Sequence, residues 1–239
     1  MSARAALVTG GSSGIGLAIA RALGEDGHGV TLSARRPDKL EAAAKELSDA
    51  GLDVLAVPAN VTDEDGIKGV VAAHRERFGR LDVLVNNAGI GIGAAVADTE
   101  TKKLDLQLDV NLRAVYLMAR ESIPLLKEAG ADHGKALMVN TASIAGKYGQ
   151  GWLAAYSATK FGVVGLSQAL HRELSNEGVQ VTAFCPGFVD TAMTDWVEGV
   201  SRDEMIQPED IAEAVRFLLR TSPACMVPEI QFIRPGDQP

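Results

Sequence analysis

The sequence has few of the residues that bind metals or form disulfides. Its 239 residues include two cysteines, Cys185 and Cys225, which form no CxxC pair. Zinc sites and redox motifs need cysteine or histidine at short, regular spacings. The four histidines are instead scattered along the chain, at His28, His74, His133 and His171. We therefore expect no metal site and a reduced, cytoplasmic protein.

Long hydrophobic runs and blocks of basic residues are also missing. No run approaches the ~18 apolar residues of a membrane-spanning helix. The apolar stretch at residues 5–8 is too short for a signal or an anchor. The net charge of −8 argues against a basic surface for nucleic acid. We expect a soluble protein with neither nucleic acid nor a membrane as its partner.

Short β-rich runs alternate with helical patterns along the whole chain. The predicted strands are residues 5–8, 30–34, 54–57, 81–85, 136–140, 179–184 and 229–233. The predicted helices are residues 17–23, 38–50, 62–78, 102–127, 154–177 and 208–220, with Thr62 as an N-cap and Pro124 as a kink. Such alternation predicts an α/β fold: one doubly wound domain over residues 1–239, with a mostly parallel seven-stranded sheet and helices on both faces.

A glycine-rich segment lies between the first strand and the first helix. It reads Thr9-Gly-Gly-Ser-Ser-Gly-Ile-Gly16, in the pattern TGxxxGxG. Glycines at such a place let the backbone turn tightly and approach a pyrophosphate at the helix N-terminus. The segment therefore predicts a dinucleotide site that uses Gly10, Ser12, Ser13, Gly14, Ile15 and Gly16.

Tyr156 and Lys160 stand four residues apart in a predicted helix. Residues at i and i+4 share one helix face. A cation close to a phenol favours the phenolate, so we expect the pKa of Tyr156 to lie below its ordinary value. The phenol would then serve as an acid/base group near neutral pH. Taken alone, this spacing is more typical of two side chains that share a helix face without any chemical role.

The glycine pattern together with Tyr156-x-x-x-Lys160 resembles the short-chain dehydrogenase/reductase family, in its single-domain branch. Further motifs fit this resemblance in chain order, from residue 9 to about residue 191. They are Asn86-Asn87-Ala88-Gly89, Asn111, Ser143 at 13 residues before Tyr156, and Pro186-Gly187 with Thr191. The resemblance implies a Rossmann fold and an NAD(P)-dependent oxidoreductase that acts on a small carbonyl or alcohol.

The resemblance also assigns roles to four catalytic side chains. Tyr156 would exchange a proton with the substrate oxygen, which Ser143 would hold in place by a hydrogen bond. Lys160 would bind the nicotinamide ribose and lower the pKa of Tyr156. Asn111 would hold a water that links Lys160 to solvent as a proton relay.

Further cofactor contacts follow from the same resemblance. Asn60 and Val61 would meet the adenine. Thr9 is expected to join the glycine turn to the Asn-Asn-Ala-Gly loop rather than to bind the cofactor. The remaining lining residues would be Asn87, Ala88, Gly89, Pro186, Gly187, Val189 and Thr191, besides Tyr156 and Lys160 themselves.

The choice of dinucleotide depends on the end of the second strand. An acid there would bind the adenosine ribose and repel a 2′-phosphate. This sequence has Arg35 and Arg36 instead, which suit a phosphate, with Ser12 and Ser33 as further hydroxyl donors. We predict a preference for NADP(H), with NAD(H) possible. NADP(H) members of the family often carry a base inside the glycine turn, whereas positions 12 and 13 here are serines.

The loops after the strands are mostly apolar where the substrate would bind. Residues 90–93, 145–153 and 188–200 carry Ile90, Ile92, Tyr148, Trp152, Met193 and Trp196, and Gln150 is the polar candidate. An apolar pocket suits an aldehyde or ketone better than a phosphorylated sugar. Trp152 could equally belong to the core or to an interface. The short segment between Thr191 and Pro208 predicts a small lid and loose selectivity.

The two long predicted helices resemble those that pair in dimers of the family, so we expect a homodimer or a homotetramer. The C-terminus lacks the usual V-D-G-G ending, which leaves the second interface of a tetramer open. Three alternatives to a carbonyl reductase remain. They are an NAD-linked alcohol dehydrogenase, a 3-oxoacyl-thioester reductase and a non-catalytic dinucleotide-binding protein.

Overall fold

Seven parallel strands form one sheet in this computed structural model, which describes residues 4–236. The strand order is β3-β2-β1-β4-β5-β6-β7, and every neighbouring pair is parallel. The strands are β1 Arg4–Thr9, β2 His28–Ala34, β3 Val54–Pro58, β4 Val83–Asn86, β5 Ala136–Thr141, β6 Val179–Pro186 and β7 Glu229–Phe232. The predicted doubly wound α/β fold is confirmed, and the sheet is parallel throughout.

The helices follow the strands in the predicted alternation. They are α1 Gly14–Glu25, α2 Pro37–Asp49, α3 Glu64–Phe78, α4 Thr101–Leu108, α5 Ala114–His133, α6 Ala154–Leu174 and α7 Pro208–Arg220. None of the helices in residues 4–236 is both long and apolar enough to cross a membrane.

The alternation of side chains along each strand divides the core into two layers. Ala6 and Val8 of β1 pack in one cluster with α1, α2 and α7. Leu7 points the other way and packs with α3, α5 and α6. Because successive strand residues face opposite sides of a sheet, both faces of the central strands are buried under helices.

Two local predictions differ from the structure. Asp63, not Thr62, caps α3, since its carboxylate accepts from the amide of Asp65 at 3.2 Å. The predicted helix over residues 102–127 is divided into α4, a π-helical segment, Asp109–Arg113, and α5, which continues through Pro124 to His133. The single-domain prediction stays a prediction, and its residues 1–3 and 237–239 lie outside the described residues.

The order of the strands reverses between β1 and β4, which are hydrogen-bonded neighbours. In open α/β sheets, ligands bind beyond the carboxyl ends of the strands at this reversal. The glycine turn follows β1 and the Asn-Asn-Ala-Gly loop follows β4, so the fold brings the two predicted cofactor loops side by side.

Candidate active site

The glycine turn after β1 is shaped by contacts that no larger residue allows. Gly10 and Gly14 have φ values of 66° and 53°, in the left-handed region that favours glycine. A Cβ on Gly16 would lie 2.3 Å from the carbonyl oxygen of Gly10, and one on Gly14 would lie 2.9 Å from Cγ2 of Thr191. The turn is therefore compressed between α1 and the loop after β6.

The N-terminus of α1 keeps free hydrogen-bond donors. Ser13 is its N-cap, but the Ser13 side chain makes no capping bond. The first intrahelical bond within the turn runs from the amide of Leu17 to the carbonyl of Ser13, at 3.3 Å. The amides of Gly14, Ile15 and Gly16 thus face outwards with the positive end of the helix dipole, which suits the pyrophosphate of a dinucleotide.

Thr9 joins the two cofactor loops, as the sequence predicts. Its hydroxyl accepts from the amides of Asn87 at 3.0 Å and Ala88 at 3.1 Å. The side-chain amide of Asn87 in turn donates to the carbonyl of Gly10 at 3.4 Å. These bonds fix the Asn-Asn-Ala-Gly loop against the glycine turn.

A cavity of about 450 Å³ lies at the carboxyl ends of the strands. It brings together most of the predicted site residues: Gly10, Ser12, Ser13, Gly14, Ile15, Asn87, Ala88, Gly89, Ser143, Tyr156, Lys160, Pro186, Gly187, Val189 and Thr191. It is also lined by Ile90, Gly91, Thr141, Ala142, Ala192, Met193 and Thr194. The cofactor turn and the predicted catalytic side chains therefore share one open space.

Six predicted residues do not line this cavity: Gly16, Arg35, Arg36, Asn60, Val61 and Asn111. Arg35 and Arg36 are exposed just after β2. Asn60 is exposed, and its side-chain oxygen accepts from the amide of Thr62. These residues flank the site at the ends of β2 and β3, where the adenosine end of a dinucleotide would extend.

Ser33 gives a separate indication of a missing polar partner at that end. Its side chain is completely buried at the end of β2, and its Oγ has no hydrogen-bond partner within the described residues. Buried hydroxyls are almost always hydrogen-bonded. The glycine cradle, the free amides of α1 and this hydroxyl together fit a bound dinucleotide.

Lys160 and Tyr156 lie together in the cavity, where the ammonium makes a cation–π contact with the Tyr156 ring and no hydrogen bond to its hydroxyl. Nζ of Lys160 lies 5.6 Å from the centroid of the Tyr156 ring. It donates instead to the carbonyl oxygen of Thr141 at 2.7 Å. Oγ of Ser143 accepts from the amide of Ala145 at 3.1 Å and donates to the carbonyl of Pro186 at 3.4 Å.

The pKa of Tyr156 shifts in the direction opposite to the prediction. Burial raises the pKa of Tyr156 above its ordinary value, and the neighbouring Ser143 side chain lowers it by less. Burial also lowers the pKa of Lys160 to about 8, so the ammonium itself is destabilised. The prediction from helical spacing was wrong because desolvation raises this pKa, whereas Lys160, which is bonded to Thr141, is not among the groups that shift it.

Asn111 lies in the π-helical segment and is fully buried. Its side-chain oxygen accepts from the amide of Ile90, and its side-chain nitrogen donates to the carbonyl of Ile90, both at 2.8 Å. The nitrogen also donates to the hydroxyl of Thr159 at 3.2 Å. The Asn111 side chain is thus committed to holding the loop after β4 and to the contact with Thr159 of α6.

Thr141 was missed by the sequence analysis. Its contribution is a backbone carbonyl, which every residue has, so its side chain gives no signal. The position itself was the available signal, because Thr141 is the last residue of β5 and follows Asn140, which pairs with Asn86 of β4. Gln150, the predicted polar specificity residue, is exposed, does not line the cavity, and donates to the carbonyl of Tyr148.

The fold and the site together define a dinucleotide-binding α/β protein with a tyrosine and a lysine at its cofactor cavity. The family model of the short chain dehydrogenases matches residues 4–199. An uncharacterized oxidoreductase of Staphylococcus aureus strain USA300 is 36% identical over 232 residues, which are 97% of each chain. A 3-oxoacyl-[acyl-carrier-protein] reductase of S. aureus strain Mu50 is 37% identical over 227 residues, or 90% of each.

Solved structures agree with these relatives. An alcohol dehydrogenase from the archaeon Thermococcus sibiricus, complexed with 5-hydroxy-NADP, superposes with a TM-score of 0.88 at 31% identity, over 99% of this chain and 98% of that one. A 3-ketoacyl-(acyl-carrier-protein) reductase from Brucella melitensis, complexed with NADH, gives 0.88 at 32% identity, over 98% of each. The chain belongs to the short-chain dehydrogenase/reductase family and is an oxidoreductase.

Proposed function

We propose that this chain is an NADPH-dependent reductase that converts an aldehyde or ketone to an alcohol, with NADH as a weaker alternative cofactor. The observation that carries the proposal is the shared cavity. Ser143, Tyr156 and Lys160 line the same 450 Å³ space as the glycine turn. A protein that only bound a dinucleotide would have no chemical need for these three side chains together.

Each of the three side chains has a distinct task in this proposal. Ser143 positions the carbonyl oxygen by a hydrogen bond, and Tyr156 donates its proton to that oxygen as negative charge develops there. Lys160 holds the nicotinamide ribose and adds a positive charge near the phenol. When bound, the reduced nicotinamide supplies the hydride that the carbonyl carbon accepts.

Tyr156 is in the protonated form that carbonyl reduction uses. Its raised pKa keeps the phenol protonated at neutral pH, so it is ready to act as an acid. The backbone of Asn111, rather than its side chain, would hold the relay water near Lys160, since the side chain is occupied by Ile90 and Thr159. Gly89 leaves this path open: a Cβ there would lie 3.6 Å from Nζ of Lys160.

NADPH is proposed from the charges beside the adenosine end. Arg35 and Arg36 are exposed after β2, and neither guanidinium makes a hydrogen bond or ion pair within residues 4–236. Both therefore remain available for a 2′-phosphate, to which guanidinium groups form charge-assisted bonds. The relative solved with 5-hydroxy-NADP supports this choice, and the one solved with NADH keeps NAD(H) as the alternative.

A 3-oxoacyl thioester is the second candidate substrate, because a 3-oxoacyl-[acyl-carrier-protein] reductase is among the relatives. The net charge of −8 disfavours an acidic carrier protein. Assays with acetoacetyl-CoA and with an acetoacetyl-carrier protein distinguish a thioester reductase from a reductase of simple ketones. A preference for the carrier-bound thioester over simple ketones would favour this second function.

A second copy of the chain is proposed to cover the long helices. Leu104 and Leu108 of α4, Tyr116 of α5 and Phe161 of α6 are large apolar side chains that are more than a third exposed. A patch of this kind on neighbouring helices is typical of a subunit interface. Sedimentation of the purified protein measures whether it is a homodimer, a homotetramer or a monomer.

The direct test of the function is cofactor oxidation with a panel of aldehydes and ketones. Purified protein is assayed with NADPH and with NADH, and Tyr156→Phe is the matched control because it removes only the phenolic hydroxyl. We expect turnover of several carbonyl compounds with NADPH and a loss of at least about a hundredfold in the variant. Undiminished turnover in Tyr156→Phe would contradict the mechanism, and strict use of one substrate would contradict the predicted loose selectivity.

A further inference from the structure

Both tryptophans of the chain meet beside the active-site cavity. The ring centroids of Trp152 and Trp196 lie 5.9 Å apart, at 60° to each other, and Phe188 packs edge-on against Trp196 at 6.3 Å. We call Trp152, Phe188 and Trp196 the aromatic cluster. Trp152 is 57% exposed and Trp196 is 53% exposed, so the cluster presents a large apolar surface to solvent. Surfaces of this kind mark ligand or partner sites in soluble proteins.

Trp152 holds an unfavourable backbone conformation. With φ at 65°, it is the one residue other than glycine with a positive φ among residues 4–236. The Cβ of any residue other than glycine makes this conformation unfavourable. The tryptophan side chain makes no local interaction with its own backbone that would offset this cost. Its carbonyl oxygen accepts from the amide of Ala94 at 2.8 Å. Backbone strain of this kind is typical of functional sites, where the surrounding structure maintains it.

Gly93 provides the space for the Trp152 indole. A Cβ on Gly93 would lie 2.2 Å from Cζ3 of that indole, and its three nearest neighbours would all be atoms of the same ring. Gly93 is not in the left-handed region, so its lack of a side chain matters for space and not for backbone conformation. Any larger residue at position 93 must therefore displace the indole.

The aromatic cluster continues the cavity outwards. Gly91, two residues before Gly93, lines the cavity next to Tyr156, whose ring would lie 3.9 Å from a Cβ on Gly91. Met193, three residues before Trp196, lines the cavity from the other loop. The two tryptophans themselves lie beyond the lining. They stand where the body of a substrate would emerge once its carbonyl had reached Tyr156.

We propose that the aromatic cluster, supported by Gly93, is an outer subsite that binds the flat ring of an aryl or fused-ring carbonyl substrate. The indoles of Trp152 and Trp196 offer faces and edges for aromatic contacts, which give more binding energy than aliphatic contacts of the same area. Gly93 and Trp152 are then specificity-determining residues. This inference rests on the proposed carbonyl reductase function and names its substrate class.

The test compares a fused-ring ketone with an open-chain ketone that has the same number of carbon atoms. Calorimetric titration of the protein in the presence of NADP⁺ gives dissociation constants for 1-indanone and for 2-nonanone without turnover. We expect Trp152→Ala to weaken 1-indanone by about fivefold and 2-nonanone by less than twofold. Gly93→Ala should act in the same direction, because it moves the indole without removing it. Gly151→Ala is the matched control, since a Cβ there meets open space beside Trp152.

The variant Trp152→Gly distinguishes a loss of ligand binding from a loss of folding. It removes the indole and relieves the positive φ, so it should melt at a higher temperature than Trp152→Ala and yet bind 1-indanone equally poorly. Unchanged 1-indanone binding in both Trp152→Ala and Gly93→Ala would overturn the subsite. So would a change of oligomeric state in Trp152→Ala by sedimentation, because the cluster would then be covered by a second copy. Reduction of 2-nonanone by NADPH separately reports the proposed function and does not depend on the cluster.

Discussion

Nζ of Lys160 donates a hydrogen bond to the carbonyl oxygen of Thr141 at 2.7 Å. Lys160 lies in α6 and is almost completely buried, and Thr141 is the last residue of β5. The bond holds the ammonium between the sheet and the helix. There Lys160 lines the same cavity as the cofactor loops and Tyr156. The same buried ammonium could therefore both bind the cofactor and act on Tyr156.

Replacement of Lys160 by alanine should therefore damage both cofactor binding and turnover. A charge-assisted hydrogen bond contributes about 1.5–3 kcal/mol, so we expect the dissociation constant of NADPH to rise by roughly tenfold or more. Fluorescence titration of NADPH measures it, and a carbonyl assay measures turnover. Lys135→Ala is the matched control, because Lys135 is also buried but binds the end of α7 through Thr221. Lost turnover with unchanged NADPH affinity in Lys160→Ala would contradict the double role.

The raised pKa of Tyr156 predicts opposite pH profiles for the two directions of the reaction. Below this pKa the phenol keeps its proton, so kcat/KM for carbonyl reduction should stay level through neutral pH and fall on the alkaline side. Alcohol oxidation needs the phenolate and should rise as the pH increases over the same range. Steady-state assays from pH 6 to beyond the ordinary phenol pKa of about 10 measure both pH profiles. An alkaline limb that persists in Tyr156→Phe would show that another group titrates.

The arginines after β2 should control the choice of cofactor. Arg35→Asp replaces a group suited to a 2′-phosphate with one that repels it, so KM for NADPH should rise by at least about tenfold while KM for NADH changes little. Lys39→Asp makes the same change of charge at an exposed position of the adjacent helix α2 and serves as the control. Equal effects of Arg35→Asp on the KM values of both cofactors would contradict the assignment of NADPH.

The sequence was sufficient for the sheet because most strands are β-rich runs, several of which stop at or just before a glycine, proline or asparagine. Ala5–Val8 followed by Gly10 is one example, and Val179–Phe184 followed by Pro186 is another. Spacing also placed Tyr156 and Lys160 on one helix within one cavity. The predicted roles of the individual site residues remain predictions, as does the oligomeric state.

What the sequence could not supply was the direction in which side chains point. The ammonium of Lys160 binds a backbone carbonyl of Thr141 rather than the phenol of Tyr156, so a pKa argument from helical spacing had the wrong sign. The amide of Asn111 is likewise satisfied by the backbone of Ile90. Backbone partners carry no sequence signal, because every residue offers the same amide and carbonyl groups.

His74 provides a test of the fold that is independent of catalysis. Its imidazole is completely buried between α3 and β2. Nε2 lies 2.8 Å from the carbonyl oxygen of Arg80, which can only accept, so this nitrogen carries the proton. Nδ1 then accepts from the hydroxyl of Thr31 at 2.7 Å. This neutral ring is fully hydrogen-bonded, and burial lowers the pKa of His74 from 6.5 to about 4.

Between these two pKa values the unfolded chain binds a proton at position 74 that the folded chain does not. The free energy of unfolding should therefore fall as the pH drops from about 6.5 towards 4, by up to about 3 kcal/mol from this residue. Urea unfolding at pH 7, 6 and 5 measures the slope for the natural chain and for His74→Gln, which cannot titrate. His28, whose pKa is also lowered by burial, contributes to both chains equally. Hence the stability advantage of the natural chain over His74→Gln should shrink as the pH falls, and an advantage that stays constant over this range would show that His74 is already charged in the folded protein.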